Sequence, residues 1–599
     1  MSEQEATVTG AEEIAWNLQD LYAGVDDPAI DRDLQEADRL ADQIAEQYKG
    51  RIAQLSAPEL RQMVELFEKL TELAYLPGAF AFLHWSVNTE DAVRGALRQK
   101  IEEFTARLQQ KVVFVQLEWA NVPDEQAETL LNDPALARYR HWLEVARQRK
   151  PYLLTEPEER ILTEKDVTGR SAWQRYFNEV LGAARFDWQG EEVPLQTVLT
   201  QLYHPDRDVR IRAAQSITGG LRKLSRHLTY VFNTLLADKA SEDRLRNYPS
   251  WITARNLSNE VDDASVDALV EAVTGRYDIV ARYYTLKKRL LGLDELFDYD
   301  RYAPLPAADK SYKWEDATAL VHTSYHSFDE RMADIVNEFF EKNWIDAPVR
   351  PGKMGGAYSA GITPQTHPYI MLNFEGNPRD VMTLAHELGH GIHQYLSREQ
   401  GMLHSDTPLT TAETASVFGE MLTFQNMLRQ EDDPEVRLAM LTAKLEDSFA
   451  TVFRQVAMNR FEDAIHSARR EQGELATEQF NEYWLETQRA MFQGSVTMTE
   501  DYGIWWSYVN HFIDYPGYVY AYAFGELLVL ALYARFEEAP DGFADEYVKM
   551  LSKGGSDWPH EIVKPLGIDL RDPGFWSQGL DILDDMVSQA EALADQIGK

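Results

Sequence analysis

TLAHELGHGIH, residues 383–393, fixes the local structure and suggests the chemistry. His386, Glu387 and His390 stand in H-E-x-x-H order. Side chains four apart share one face of an α-helix, so both imidazoles can reach one ion only if this stretch is helical. Asn377 and Asp380 lie just upstream as capping residues, ahead of the apolar Val381, Met382 and Leu384. With 14 His in 599 residues, such a match is expected by chance on the order of a few hundredths of a time per chain. The competing reading is a helix whose histidines only satisfy hydrogen bonds in a core. Glu387, beside the first His, is placed to reach a water on the ion and take its proton.

A catalytic zinc takes three protein ligands and keeps one position open. The chain has no cysteine, so the third ligand is His, Asp or Glu. TTAETASVFGEML (410–422) carries Glu413 and Glu420, seven apart and so on one helical face. Their neighbours are small or apolar, and a carboxylate in such a segment needs a partner. One can ligate while the other orients a ligand from behind. The alternative third ligand is His393. It lies about 10 Å along the helix axis from His386, too far for three ligands of one straight helix to converge. Glu413 is therefore read as the ligand, with Glu420 and His393 as supporting residues behind it.

Two flanking segments add candidates. In KMGGAYS (353–359), Gly355, Gly356, Ala357 and Tyr358 read as a backbone-lined cleft wall, because glycines allow close approach of a substrate. The segment lacks the order of a phosphate loop. The run YIMLNF (369–374) reads as a strand that pairs with an extended peptide by edge addition. In DYGIWWSYVNHFIDYPGYVYAYAFGE (501–526), His511, Tyr515, Tyr518 and Tyr522 step by 4, 3 and 4, one face if the segment is helical, with Pro516-Gly517 as a break. Neutral O–H and N–H donors suit an oxyanion; an aromatic core stripe is the plainer reading.

The remainder is mostly helical. ELRQMVELFEKLTELAYL (59–76) places Leu60, Met63, Val64, Phe67 and Leu70 at helical spacing. Thr155 before Pro157 and Glu158 marks a helix start. ARFDWQGEEVPL (184–195) reads as a hairpin turning at Gln189-Gly190. Residues 304–311 and 347–368 are Pro- and Gly-containing breaks. The expected organisation is a loose tail at 1–12, an N-terminal helical region at 13–195 and a helical catalytic region at 196–599. The last contains the metal segment (378–422) and the His/Tyr segment (501–526).

Composition narrows the partners. With 59 Lys and Arg against 98 Asp and Glu, the net charge is −39. Such a chain repels phosphate backbones and anionic membranes, so neither nucleic acid nor membrane is expected as a partner. The absence of cysteine excludes disulfide scaffolds, thiolate metal sites and thiol nucleophiles. The N-terminus shows no signal peptide, and a cytoplasmic protein is expected.

HELGH, the AETASVFGE segment and HFIDYPGYVYAY together resemble the M3 metallopeptidases, and within them the bacterial oligoendopeptidase F group. WNLQDLY (16–22), ERILTEKD (159–166), LLGLDELFDYD (290–300) and GKMGGAYSAG before YIMLNF are similar to the same group, so the resemblance spans nearly the whole chain. It implies a mainly helical, two-lobed body with a deep channel. It further implies one zinc per chain on His386, His390 and Glu413, Glu387 as general base, and His511 with Tyr515, Tyr518 or Tyr522 stabilising the substrate. The expected function is zinc-dependent cleavage of internal bonds in short, unfolded peptides by a monomer or small homo-oligomer. The rival readings are a helical zinc carboxypeptidase and a non-catalytic metal-containing peptide-binding protein.

Overall fold

The computed structural model describes residues 8–305 and 310–599. Its elements are almost all helices, with two small sheets among the described residues. The chain forms two compact units, each assembled from three separate stretches. One comprises Met1–Lys150, Asp309–Gln430 and Arg535–Ile568; the other comprises Pro151–Ala308, Glu431–Ala534 and Asp569–Lys599.

In the first unit, Ala57–Ser86 is a 30-residue helix opened by a capping box between Ser56 and Glu59. Leu60, Met63, Val64 and Leu70 are buried along it and join Trp119, Leu136 and Leu143 in one apolar cluster. Part of the expected tail is anchored here. Thr9 and Ala11 are buried, and the Trp314 N–H donates to Thr9 O at 2.8 Å. Residues 1–7 lie outside the described residues, as do 306–309 of the expected break at 304–311.

The unit also holds a three-stranded sheet. Ile345–Asp346 (β3) pairs in parallel with Tyr369–Met371 (β5), and Tyr358–Ala360 (β4) pairs with β5 in antiparallel. Hence YIMLNF begins as a strand, but it is the central one and is fully buried. Its hydrogen-bonding edges are taken on both sides, which overturns the expectation that it adds a peptide by its edge. The edge strand of this sheet on the site side is β4.

The second unit contains the expected hairpin, Phe186–Trp188 (β1) against Glu191–Val193 (β2). Gln189 and Gly190 both have positive φ, as a two-residue type I′ turn demands. The capping box of Thr155 and Glu158 starts the Glu156–Asp166 helix where the sequence indicated. The backbone of this unit is the 40-residue helix Arg207–Arg246.

Candidate metal centre

The helix Pro378–Ser397 carries the HELGH segment. Asn377 Oδ1 accepts from the Asp380 N–H, and the Asp380 carboxylate accepts from the N–H groups of Glu375 and Asn377. Pro378 occupies the first turn, where its missing donor costs nothing. Val381, Leu384, Ala385, Leu388 and Ile392 are wholly buried at helical spacing. At about 1.5–3 kcal/mol per buried large aliphatic side chain, that stripe fixes the rotation of the helix. His386 and His390 then project from another face.

Glu413 comes from a second element. It lies at the junction of Leu409–Ala412 and the helix Thr414–Gln430, with φ −82° and ψ 0°. The sequence placed it on one helical face with Glu420, but only Glu420 is inside the helix. The junction is held by Thr414 Oγ1 donating to Thr411 O at 2.7 Å and by Tyr547 Oη donating to Thr414 O at 2.9 Å.

Two glycines bring the helices together. A Cβ on Gly389 would stand 2.3 Å from Ala415 O and 2.5 Å from Ser416 Cα, so the backbones of the two helices are in direct contact. A Cβ on Gly419 would overlap Tyr325, whose hydroxyl donates to Ala385 O at 2.8 Å. The glycine between the two histidines thus sets how near Glu413 comes to them.

The result is a cluster of three donor atoms within 4.8 Å of one another. Glu413 Oε2 is 3.4 Å from His386 Nε2 and 3.4 Å from His390 Nε2. Ligands at about 2.0–2.1 Å from a tetrahedral ion stand about 3.3 Å apart, so these residues fit a zinc-sized cation. Behind them Glu420 Oε2 is 3.4 Å from His386 Nδ1, which leaves Nε2 free to ligate. Ser416, which the sequence reading missed, donates its hydroxyl to Glu413 Oε2 at 2.8 Å.

Glu387 is 6% exposed, and its Oε2 has no hydrogen-bond partner among the described residues. Burial pushes its pKa up, against the opposing pull of His386 and His390. For Glu413, burial raises the pKa, but hydrogen bonding and charge from His390, the charge of His386 and the Ser416 hydroxyl hold it down at about 2. For His386, burial lowers the pKa, and Glu420, Glu413 and Glu387 together outweigh it, so the net direction is upward. His393 is 5% exposed, and burial lowers its pKa to about 4.

His386, Glu387, His390 and His393 open on a cavity of about 400 Å3 whose walls include Ala357, Tyr358, Ser359 and Gln394. Gly355 and Gly356 are outside that lining. Tyr358 is held by a 2.7 Å hydrogen bond with Ser86 Oγ.

His511, Tyr515, Tyr518 and Tyr522 belong to the second unit. They do not form one helical face. His511–Asp514 is a single turn, Pro516-Gly517 interrupts, and a new helix runs Tyr520–Glu538. The four rings still gather: Tyr518 is 5.1 Å from Tyr522 and 5.9 Å from Tyr515, and His511 Nε2 is 3.3 Å from Tyr522 Oη. Tyr515 and Tyr522 are exposed. Burial and then Arg454 lower the His511 pKa, favouring a neutral imidazole.

Comparison with known proteins identifies the family. The profile of peptidase family M3 matches residues 200–582, more than half the chain, and that of Oligopeptidase F matches residues 118–186. The chain is 26% identical over 593 residues to the oligopeptidase PepF of Bacillus subtilis, covering 97% of this chain and 87% of that one. It is 24% identical over 556 residues to an oligoendopeptidase F homolog of Lactococcus lactis, covering 90% and 91%. In fold it is similar to the crystal structure of a peptidase from Chlamydophila abortus, with a TM-score of 0.87, 24% identity and coverage of 97% and 98%. It is likewise similar to oligoendopeptidase F from Enterococcus faecium, with a TM-score of 0.70, 22% identity and coverage of 94% and 99%. The chain belongs to peptidase family M3 and is a metallopeptidase.

Proposed function

We propose that this protein is a zinc endopeptidase that hydrolyses internal bonds of short, unfolded peptides. The observation that carries the proposal is the convergence of His386 Nε2, His390 Nε2 and Glu413 Oε2 beside buried Glu387, with both histidines and Glu387 lining one cavity. The three donors would hold the zinc, which when bound supplies a Lewis acid that polarises the scissile carbonyl and acidifies water. Glu387 accepts a proton from the attacking water and delivers it to the departing amine nitrogen. Its unpartnered Oε2 leaves that oxygen ready for the proton. Glu420 holds the His386 tautomer and Ser416 orients Glu413. We extend the proposal to His511, Tyr515, Tyr518 and Tyr522 as neutral donors to the tetrahedral oxyanion. Its support is their chemistry, grouping and exposure.

The carboxypeptidase alternative needs a cationic or backbone pocket for a terminal carboxylate; among the described residues that line the metal cavity there is no Lys or Arg. Oligopeptides as substrates accord with the relatives named oligopeptidase and oligoendopeptidase. Action in the cytoplasm is part of the proposal; no helix among the described residues is long and apolar enough to cross a membrane. The test is digestion of a mixed peptide library, read by mass spectrometry with and without chelator, alongside metal analysis. Internal cuts that stop on chelation and return with zinc, at about one zinc per chain, are expected. Full activity after rigorous chelation sinks the proposal, and release of single C-terminal residues supports the rival.

A further inference from the structure

One carboxylate on the wall of the metal cavity has no part in holding the metal or moving the proton. Asp406 lines that cavity beside Ser405, Thr407, Ser397 and Gln394. The residue is exposed, and among the described residues its one side-chain hydrogen bond is local, Oδ1 accepting from the Thr407 N–H at 3.0 Å. Among the described residues no Lys, Arg or His forms an ion pair with it. The Tyr75 hydroxyl donates to Gly361 O at 3.1 Å.

In a chain this acidic, unpaired carboxylates on open surface are common. Asp406 differs in two respects. It faces into a cleft, on the wall of the cavity that His386, Glu387 and His390 also line. Its backbone is also clamped. Ser397 Oγ donates to Ser405 O at 2.7 Å, and the Gly555 N–H donates to His404 O at 2.8 Å. A Cβ on Gly555 would stand 2.3 Å from Asp406 O. A charge presented by a fixed backbone in a cleft recognises a partner with little ordering cost.

About 400 Å3 is within the range of pockets that enclose a small ligand. A peptide whose scissile bond lies beside Glu387 therefore shares this cavity with at least one adjacent side chain. We propose that Asp406 forms a subsite for a cationic side chain, Lys or Arg, close to the scissile bond, and so selects where the enzyme cuts. This rests on the peptidase reading of the same cavity. It commits to the side chain and not to the peptide terminus, since the substrate is taken to be cut internally.

The test uses internally quenched peptides identical except at one position. Lys, norleucine or Glu is placed in turn at the two residues on each side of the cut. Wild type, Asp406→Asn and Asp406→Lys are compared as zinc-loaded full chains, with metal content and circular dichroism as controls. At one position the wild-type ratio of kcat/KM for Lys over Glu should be about tenfold or more, the range of an ion pair gained against like charges opposed. The ratio should fall to within about threefold of unity in Asp406→Asn and invert in Asp406→Lys. A ratio unaltered in Asp406→Asn overturns the proposal even if Asp406→Lys fails to fold. Binding of the same peptides to Glu387→Gln, with and without Asp406→Asn, is read by fluorescence anisotropy. Selective binding without cleavage by wild type defeats the peptidase reading alone, whereas equal affinity for Lys and Glu peptides defeats the subsite.

Discussion

Glu462 gives the most quantitative prediction. It sits in the helix Phe453–Gln472 and is 1% exposed. Its Oε1 accepts from the Gly517 N–H at 2.8 Å, and its Oε2 has no partner among the described residues. It borders a small cavity of about 20 Å3, room for about one water, together with Lys239 and His466. Lys239 is engaged with Asp243, His466 stacks on Trp251 at 4.4 Å, and Arg255 is the one cation whose charge reaches the carboxyl appreciably. Burial therefore prevails, and the Glu462 pKa is pushed up to about 8 from an ordinary 4.5.

Between these values the folded state holds a proton that the unfolded state has released. Stability from this group is intact below pH 4.5 and is lost as pH rises toward 8, by ~1.4 kcal/mol per pH unit. From pH 5.5 to 8 the loss is about 3 kcal/mol. Glu462→Gln keeps an oxygen to accept from Gly517 and cannot ionise. Urea unfolding of both proteins at pH 5.5 and pH 8, followed by tryptophan fluorescence, isolates the term, since other titrating groups cancel. The variant should gain about 3 kcal/mol on the wild type over that interval. Parallel pH dependence of the two proteins refutes the reasoning.

Three further outcomes are expected. Glu387→Gln should retain the metal and lose about 10²–10⁴-fold in kcat, measured on a quenched peptide with metal content assayed in parallel. Tyr518→Phe or Tyr522→Phe should lower kcat by about 10²–10³-fold with little change in KM or metal content, and His511→Ala should behave similarly; near wild-type kcat in all three restores the plain aromatic-core reading. Gly389→Ala should weaken metal binding by roughly 10–100-fold in a chelator competition, because its Cβ drives the Ala415–Ser416 backbone, and Glu413 with it, away from the histidines.

What the sequence made legible follows from the range of each signal. The helical period converts the His386–His390 spacing into a shared face, and caps and turn residues mark ends within a few positions. The same local signals located the hairpin at Gln189-Gly190 and the start at Thr155. They do not reach across the chain. YIMLNF announces a strand, but its central place is decided by Ile345–Asp346 and Tyr358–Ala360, strands of two and three residues that are too short to carry a period of their own. The anchoring of Thr9 depends on Trp314, far along the chain. Ser416 and Asp406 carry no periodic signal, because what singles them out is a neighbour or a cavity that only folding supplies.

The donor geometry shows how such distant pieces reach precision. One straight helix offers two ligands four residues apart, and a third must come from elsewhere. Here it comes from a helix junction, where no regular backbone dictates the position of Glu413. The constraint is a contact instead. Gly389, between the two histidines, lies against Ala415 and Ser416, two and three residues after Glu413, so any sliding of one helix on the other moves Glu413 relative to the histidine pair. Tyr325 fixes the same pair from the side, through Ala385 and the space left by Gly419. The 3.4 Å separations are therefore a property of backbone packing and not of flexible side chains seeking an ion. A site preorganised in this way loses little conformational freedom when a cation binds. Small residues at positions 389 and 419 thus matter to the metal although neither can touch it.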